Sequence, residues 1–217
     1  MTVSNLAKGT HPVVLVSVSN EPANIAPHNV LVRGVICDMP VASADIALGD
    51  NLAVNVTLPS DANGVITVNV NGTEVVQGAK GGLNTIYVTG LAVGDNYLVN
   101  VSYAGNYKYE PVNNSTKASV KPIKTTSDDI GVDDLGNGTV YIYVHDNATG
   151  NVTVIVGNDT YNATVINGTA VITLTNVTPG EYNVTVIYSG DENHTNVTFN
   201  TTVRIDKHPT PMSIEDD

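Results

Sequence analysis

The side chains whose types and spacing bear on chemistry fall into four groups, and none of them makes an active site. Asp128, Asp129, Asp133 and Asp134 place four carboxylates within seven residues, the oxygen-rich composition that a hard cation such as calcium prefers. Their spacing matches no EF-hand loop, and in a chain of net charge −12 an acidic face is ordinarily just solvated. These four are the candidates for a calcium site, and the expected cofactor is none. The five histidines are scattered. Of these, His145 and His194 fall in turn or strand-end positions, where a solvated imidazole is expected. No nucleophile stands beside a base, no carboxylate pair suits a cleft, and no His/Cys spacing suits a transition metal. A Lys–Asn isopeptide with a buried acid would need a core-facing Lys on the first strand of a module, and there is none.

The third group is aromatic. Gly105-Asn-Tyr-Lys-Tyr-Glu110 carries Tyr107, Lys108 and Tyr109, and an exposed ring beside a cation can stack on a sugar or a protein partner. Such rings more often cover a sheet edge or a neighbouring module, and the same applies to Tyr141 and Tyr143. The fourth group is the Asn-x-Ser/Thr sequon, which occurs about 16 times, including Asn55, Asn100, Asn147, Asn151, Asn162, Asn183 and Asn196. On alternating strands these fall mainly on the solvent face, where glycosylation adds bulk and solvation. An Asn- and Thr-rich face also generates sequons without any glycan being attached.

Composition narrows the classes. Nine basic residues against twenty-one acidic ones oppose binding to nucleic acid or to anionic lipid. The single Cys37 cannot close an intrachain disulfide, so it reads as a structural thiol. Val dominates the apolar positions, there is no Trp, and this favours pleated strands over helices. Val13–Val18 is too short an apolar run for a signal peptide, and no segment is long enough to span a membrane.

The elements that must position these groups are written twice. Asn176-Val-Thr-Pro-Gly-Glu-Tyr182 supplies a turn, and Tyr182, Val184, Val186 and Tyr188 then alternate on one face of a strand. Leu91 to Gly105 repeats the phrase with Tyr97, Val99, Val101 and Tyr103. A Tyr at the start of a late strand, behind a turn, has the pattern of a tyrosine corner, in which the hydroxyl bonds back to the turn backbone. Tyr97 and Tyr182 take that part.

In the first copy Leu52, Val54, Val56 and Leu58 predict a strand, Pro59–Gly64 a turn, and Ile66, Val68 and Val70 a second strand ending at the Asn71-Gly72 hairpin. Glu74–Gln77 returns, Gly78, Gly81 and Gly82 mark a flexible loop, Ile86 and Val88 form the next strand, and Ser115–Ile123 the last. The second copy follows with Val140, Ile142 and Val144, Val154 and Val156, Ile172 and Leu174, and Phe199–Ile205. A period of roughly 85 residues is too long for a solenoid and suits tandem autonomous sandwiches.

The expected architecture is all-β: tandem immunoglobulin-like antiparallel β-sandwiches, with module 1 at 42–123 and module 2 at 124–207. Residues 1–41 read as a hairpin, with Val30–Ile36 as its second strand, or as the remnant of a preceding module. Residues 208–217 echo Lys121–Asp129 and read as a linker towards a further repeat.

With Tyr188-Ser-Gly-Asp-Glu-Asn-His194 following Pro179-Gly-Glu-Tyr182, and with repeated Asn-Val-Thr-Val strands, residues 44–207 resemble the bacterial-type Ig-like repeats of archaeal (methanogen) adhesin-like surface proteins. The first module departs from that pattern, having Ala104-Gly-Asn-Tyr107 where the repeats have a Gly-Asp pair. The resemblance implies an extracellular, cell-surface setting and a non-catalytic role as stalk or spacer and in cell or glycan adhesion. Its implied partners are a surface glycan or cell-surface protein of another cell and neighbouring repeats of the same chain, with no direct membrane insertion. The alternative left open is an accessory linker region of a larger secreted polysaccharide- or wall-degrading enzyme.

Overall fold

The computed structural model describes residues 6–13 and 28–206; the expected linker at 208–217 and all but Val13 of the run Val13–Val18 lie outside the described residues. The described chain contains strands and a single short 3-10 turn, η1 (Ser127–Asp129), and no α-helix. It divides into two compact units, 1–120 and 121–217.

The second unit is the simpler. A three-stranded sheet is built from β9 (Gly131–Asp134), β10 (Thr139–Tyr143) and β13 (Thr169–Thr173), ordered β13-β10-β9. A four-stranded sheet is ordered β12-β11-β14-β15, from β11 (Asn151–Val156), β12 (Asp159–Thr164), β14 (Gly180–Tyr188) and β15 (Val197–Ile205). Every pairing is antiparallel. The chain crosses between sheets after β10, β12 and β13, so the two sheets cannot separate without unthreading three connections. Alternation dictates the contents of the space between them. Val140, Ile142, Ala170 and Ile172 point in from one sheet, Val152, Val154, Val184, Val186, Tyr188 and Val203 from the other, and all are at most 3 % exposed. This is an immunoglobulin-like β-sandwich with a filled interior.

The first unit has the same plan with one large difference. Its strands are β3 (Val41–Ala42), β4 (Ile46–Ala47), β5 (Leu52–Val70), β6 (Thr73–Val88), β7 (Gly94–Tyr103) and β8 (Val112–Lys121). The expected turn at Pro59–Gly64 and loop at Gly78–Gly82 are not loops. They are the two sides of one long ribbon, β5 against β6, which stays paired through Asn63↔Lys80 and Gly64↔Ala79 and carries a register shift between Leu58 and Asn63. One half of β5, Leu52–Leu58, pairs with Gly82–Val88 and β3. The other, Ile66–Val70, pairs with β7. Inward residues of both halves share one core: Val54, Val56 and Ile86 meet Ile66, Val68, Val99 and Val101, each no more than 1 % exposed.

The buried side chain of Asn84 explains why the glycine-rich segment holds this shape. It donates to the carbonyls of Lys80 at 2.8 Å and Gly82 at 3.1 Å and accepts from the Lys80 amide at 3.0 Å, fastening the backbone beside the register shift.

At the N-terminal side, β1 (Gly9–Val13) pairs antiparallel with β2 (His28–Val32), from Gly9↔Val32 to Val13↔His28. The second strand begins and ends earlier than Val30–Ile36. Gly34 and Val35 have left that pairing and bond instead to the segment after β7, as described below. Ile123, read from the sequence as the end of the first module's last strand, bonds to Asn193 and Thr195 of the second unit.

Candidate functional site

The loop after β7 carries the residues singled out for binding, Tyr107, Lys108 and Tyr109, and the loop after β14 is its counterpart in the second unit. A glycine in the left-handed region starts each loop: Gly105 at φ 77° and Gly190 at φ 74°. A side chain at either would lie within 2.7 Å of a backbone oxygen across the loop, that of Tyr109 or His194, so only glycine lets the chain close so tightly.

Asn106 and Asp191 then hold the same place. Asn106 Oδ1 accepts the amides of Lys108 and Tyr109, each at 2.8 Å. Asp191 Oδ1 accepts those of Asn193 and His194 at the same distances. The first module's departure from the Gly-Asp pattern therefore leaves the local turn intact. What changes is the bond across to the opposite turn. Asp191 Oδ2 accepts from the backbone amide of Thr149 at 2.7 Å, whereas the Asn106 side-chain Nδ2 donates to Asn63 Oδ1 at 3.1 Å.

The strands themselves are pinned at both ends by tyrosine hydroxyls. At the start of β14, Tyr182 donates to the Thr178 carbonyl at 2.7 Å; Tyr97 on β7 lies 3.3 Å from the carbonyls of both Ala92 and Val93. At the far ends, the buried Tyr103 and Tyr188 donate to the carbonyls of Asn63 at 2.6 Å and Thr149 at 2.9 Å. Burial raises both phenols, that of Tyr188 to about 12. Sequence alternation marked Tyr103 and Tyr188 as core, and the partner of each hydroxyl was missed because it is 40 and 39 residues away.

The loop of the first unit does not present Tyr107, Lys108 and Tyr109 as one exposed group. Tyr107 is 62 % exposed, while Tyr109 is 6 % exposed and belongs to the core. The Asp61 carboxylate takes both neighbours, the Lys108 ammonium on Oδ2 and the Tyr109 hydroxyl on Oδ1, each at 2.5 Å. Those two bonds, Lys108 first, hold the Asp61 carboxyl below its ordinary range, and the bond to Asp61 raises the Tyr109 phenol. The Lys108 ammonium also lies 4.9 Å from the Tyr109 ring centroid. Asp61 sits inside the stretch read as a turn, so its reach to this loop could not be seen from spacing.

The N-terminal segment lies on the same loop. The Lys8 amide donates to Tyr107, the Val35 amide to Lys108, and the Glu110 amide to Val35, at 2.8–3.0 Å. Lys8 Nζ reaches the Tyr109 carbonyl at 3.1 Å and Glu110 Oε2 at 3.5 Å, and the Gly34 amide donates to Glu110 Oε1 at 2.9 Å. Val35 and Tyr109 form a parallel bridge, and Ile123 and His194 form its counterpart in the second unit.

In the second unit, His145 and His194 are not separate solvated rings. They stack with centroids 4.8 Å apart, and His194 is 7 % exposed. His194 Nδ1 lies 2.9 Å from Asp191 Oδ1. Burial would push the Asp191 carboxyl up; the Thr149 and Asn193 amides and His194 outweigh it and hold it well below the usual carboxylate range.

The four acidic candidates do not converge. Asp129 turns back to cap η1, accepting from the amide and hydroxyl of Thr126 at 2.7 Å, and Asp134 accepts the Arg204 amide at 2.9 Å. Among the described residues no three His, Cys, Asp or Glu side chains gather where they could hold a metal ion. Cys37 is buried and free. The sequon residues Asn55, Asn100, Asn147, Asn151, Asn162, Asn183 and Asn196 are all exposed, and Asn55 and Asn162 each accept a neighbouring threonine hydroxyl, at 2.8 and 2.6 Å. Tyr141 and Tyr143 stack with centroids 6.3 Å apart, and Tyr143 is exposed.

The chain matches no protein-family profile and no curated protein in sequence. Solved structures similar to it include a two-domain fibronectin type III segment of chicken tenascin, at 13 % identity and TM-score 0.43, covering 77 % of this chain and 97 % of that one. A region of a bacterial ice-binding adhesin is similar at 16 % identity and TM-score 0.35, over 84 % of this chain and 69 % of that one. The fibronectin(III)-like modules of CbhA from Clostridium thermocellum are similar at 15 % identity and TM-score 0.30, over 83 % and 98 %.

Proposed function

We propose that this chain is a non-catalytic, extracellular repeat region of an adhesin-like surface protein, acting as a stalk or spacer and contacting its target through loops at module ends. The observation that carries the reading is the filled interior of each sandwich. Tyr103 and Tyr188 are each at most 1 % exposed, and the Val and Ile side chains around them close the space a substrate pocket would need.

Small packed sandwiches repeated along a chain supply length and spacing, while recognition falls to loops and sheet faces. Exposed sequons on both units accord with a surface setting and with a glycan coat that shields the strands. Where the loops differ, as Gly105–Pro111 differs from Gly190–Asn196 in its tyrosines, the two units should differ in binding.

A cell- or glycan-binding assay with the whole chain and its Tyr107→Ala variant tests this reading. Reduced binding by the variant is expected. Equal binding by both removes the loop from the contact surface, and hydrolysis of any offered polysaccharide overturns the non-catalytic reading.

A further inference from the structure

A cleft of about 520 Å3 opens in the first unit between the N-terminal segment and the Gly105–Pro111 loop, lined among others by Leu6, Lys8, Arg33, Val35, Asp61 and Tyr107. Three of the nine basic side chains, Lys8, Arg33 and Lys108, line it. Two of them are neutralised locally, Lys8 by Glu110 and Lys108 by Asp61. Arg33 is exposed and has no carboxylate partner among the described residues. Beside it Tyr107 stands 62 % exposed, with Leu6 at 38 % and Val35 at 53 %.

From this arrangement we infer that the cleft binds an anionic saccharide: a sugar bearing a carboxylate or sulfate, held by Arg33 at its charge and by Tyr107 on its ring. This deepens the reading of the loop as a contact surface and rests on it. A guanidinium presents paired N–H donors to a planar anion and forms its strongest bonds with carboxylate or sulfate oxygens. The exposed phenol ring offers an apolar face for the C–H side of a pyranose, and Val35 and Leu6 extend that apolar lining.

Asp61 is held ionised by Lys108 and Tyr109, so its carboxylate can accept only, and sugar hydroxyls are the donors that suit it. An acidic peptide offers carboxylates to Arg33 but few hydroxyl donors to Asp61. The framework is pre-formed. Lys8 and Val35 are tied to the loop by main-chain bonds to Tyr107 and Lys108, so binding needs little further ordering. The second unit has His194 where the first has Tyr109 and no tyrosine in its loop, so the site belongs to the first unit alone.

The test is calorimetric titration of the whole chain with a galacturonic acid trimer, its methyl ester, a sulfated disaccharide and a glutamate-rich peptide. The acid trimer is expected to bind at least about tenfold more tightly than its ester, the size of one charge-assisted contact. Arg33→Gln should weaken the trimer by about the same factor, with Arg33→Lys restoring part of it. Tyr107→Ala should weaken it too, without moving the thermal midpoint, since that ring packs on nothing in the core. Binding of the sulfated sugar with the same Arg33 dependence supports the site and makes sulfate a source of the charge.

No binding of the trimer or the sulfated sugar, equal binding of acid and ester, an unaffected Arg33→Gln variant, or a peptide bound as tightly as the trimer overturns the inference. The loop reading fails separately. If the trimer does not bind while Tyr107→Ala still weakens attachment to cells, only the acidic saccharide is lost.

Discussion

The hydroxyl of Tyr109 donates to Asp61 Oδ1 at 2.5 Å across 48 residues of sequence. This bond separates two tyrosines that a loop reading treats alike, turning Tyr109 into the core and leaving Tyr107 outside. Because the bond to Asp61 is the largest cause of the raised Tyr109 phenol, Asp61→Ala should bring that phenol down towards an ordinary tyrosine. Titration of the tyrosine ring carbons by NMR reads this directly. An unmoved Tyr109 would mean that Asp61 does not hold it.

Tyr188→Phe removes a buried hydroxyl and leaves the Thr149 carbonyl without that donor, so the second unit should lose about 1–3 kcal/mol. Tyr182→Phe, at a more exposed corner, should cost about 1 kcal/mol. Tyr97→Phe should cost less, its two bonds being 3.3 Å long. Hydrogen exchange at the Val186 and Val101 amides in the whole chain separates the units and checks the order.

Acid should weaken the second unit through Asp191. Its folded-state carboxyl lies below its unfolded value, so its contribution is full above the ordinary carboxylate range and is lost as pH falls through and below that range. Asp191→Asn should remove this part of the acid dependence. The first unit, which has Asn106 in that place, should lack this contribution, and its own acid dependence should run through Asp61 instead. Denaturant midpoints at neutral pH and at acid pH decide it; an unchanged slope in Asp191→Asn would sink the assignment.

Asn84→Ala should destabilise the first unit by about 1–3 kcal/mol, because the Lys80 and Gly82 carbonyls and the Lys80 amide all lose their side-chain partner at a buried bulge. Asn84→Asp supplies only acceptors and should rescue little. Urea unfolding followed at Tyr87, on the neighbouring part of β6, measures both.

The two cores share no residue, so residues 121–206 should unfold cooperatively when excised. A fragment beginning at 126 should be less stable, having lost the backbone bonds of Ile123 to Asn193 and Thr195 and that of Thr125 to Thr195 Oγ1. Circular dichroism melts of the two fragments test this, and a disordered 121–206 would end the idea of autonomous units.

What the sequence by itself determined is the part set by local rules. Period-two alternation of Val, Ile and Tyr marked the inward faces of β5, β7, β11 and β14, because successive side chains of a strand must point to opposite sides. Asn71-Gly72 marked a turn because its backbone preferences leave few alternatives, and Asn71 and Gly72 do lie at φ 48° and 87°, whereas Gly180 of Pro179-Gly180 is already the first residue of β14, paired with Ile205. The recurrence of the whole pattern about 85 residues later marked two similar sandwiches.

What only the tertiary structure decided is every relationship between segments distant in sequence. Pro59–Gly64 and Gly78–Gly82 have the composition of loops, yet each supplies the other with hydrogen-bond partners, and mutual pairing overrides composition. Tyr109 and His194 carry polar groups suited to solvent, yet each turns inward because a carboxylate, Asp61 or Asp191, is waiting to receive it. The cleft at Arg33 and Tyr107 exists because Lys8, Gly34 and Val35 fold back on a loop more than seventy residues further along the chain, and no local preference of either segment encodes that meeting.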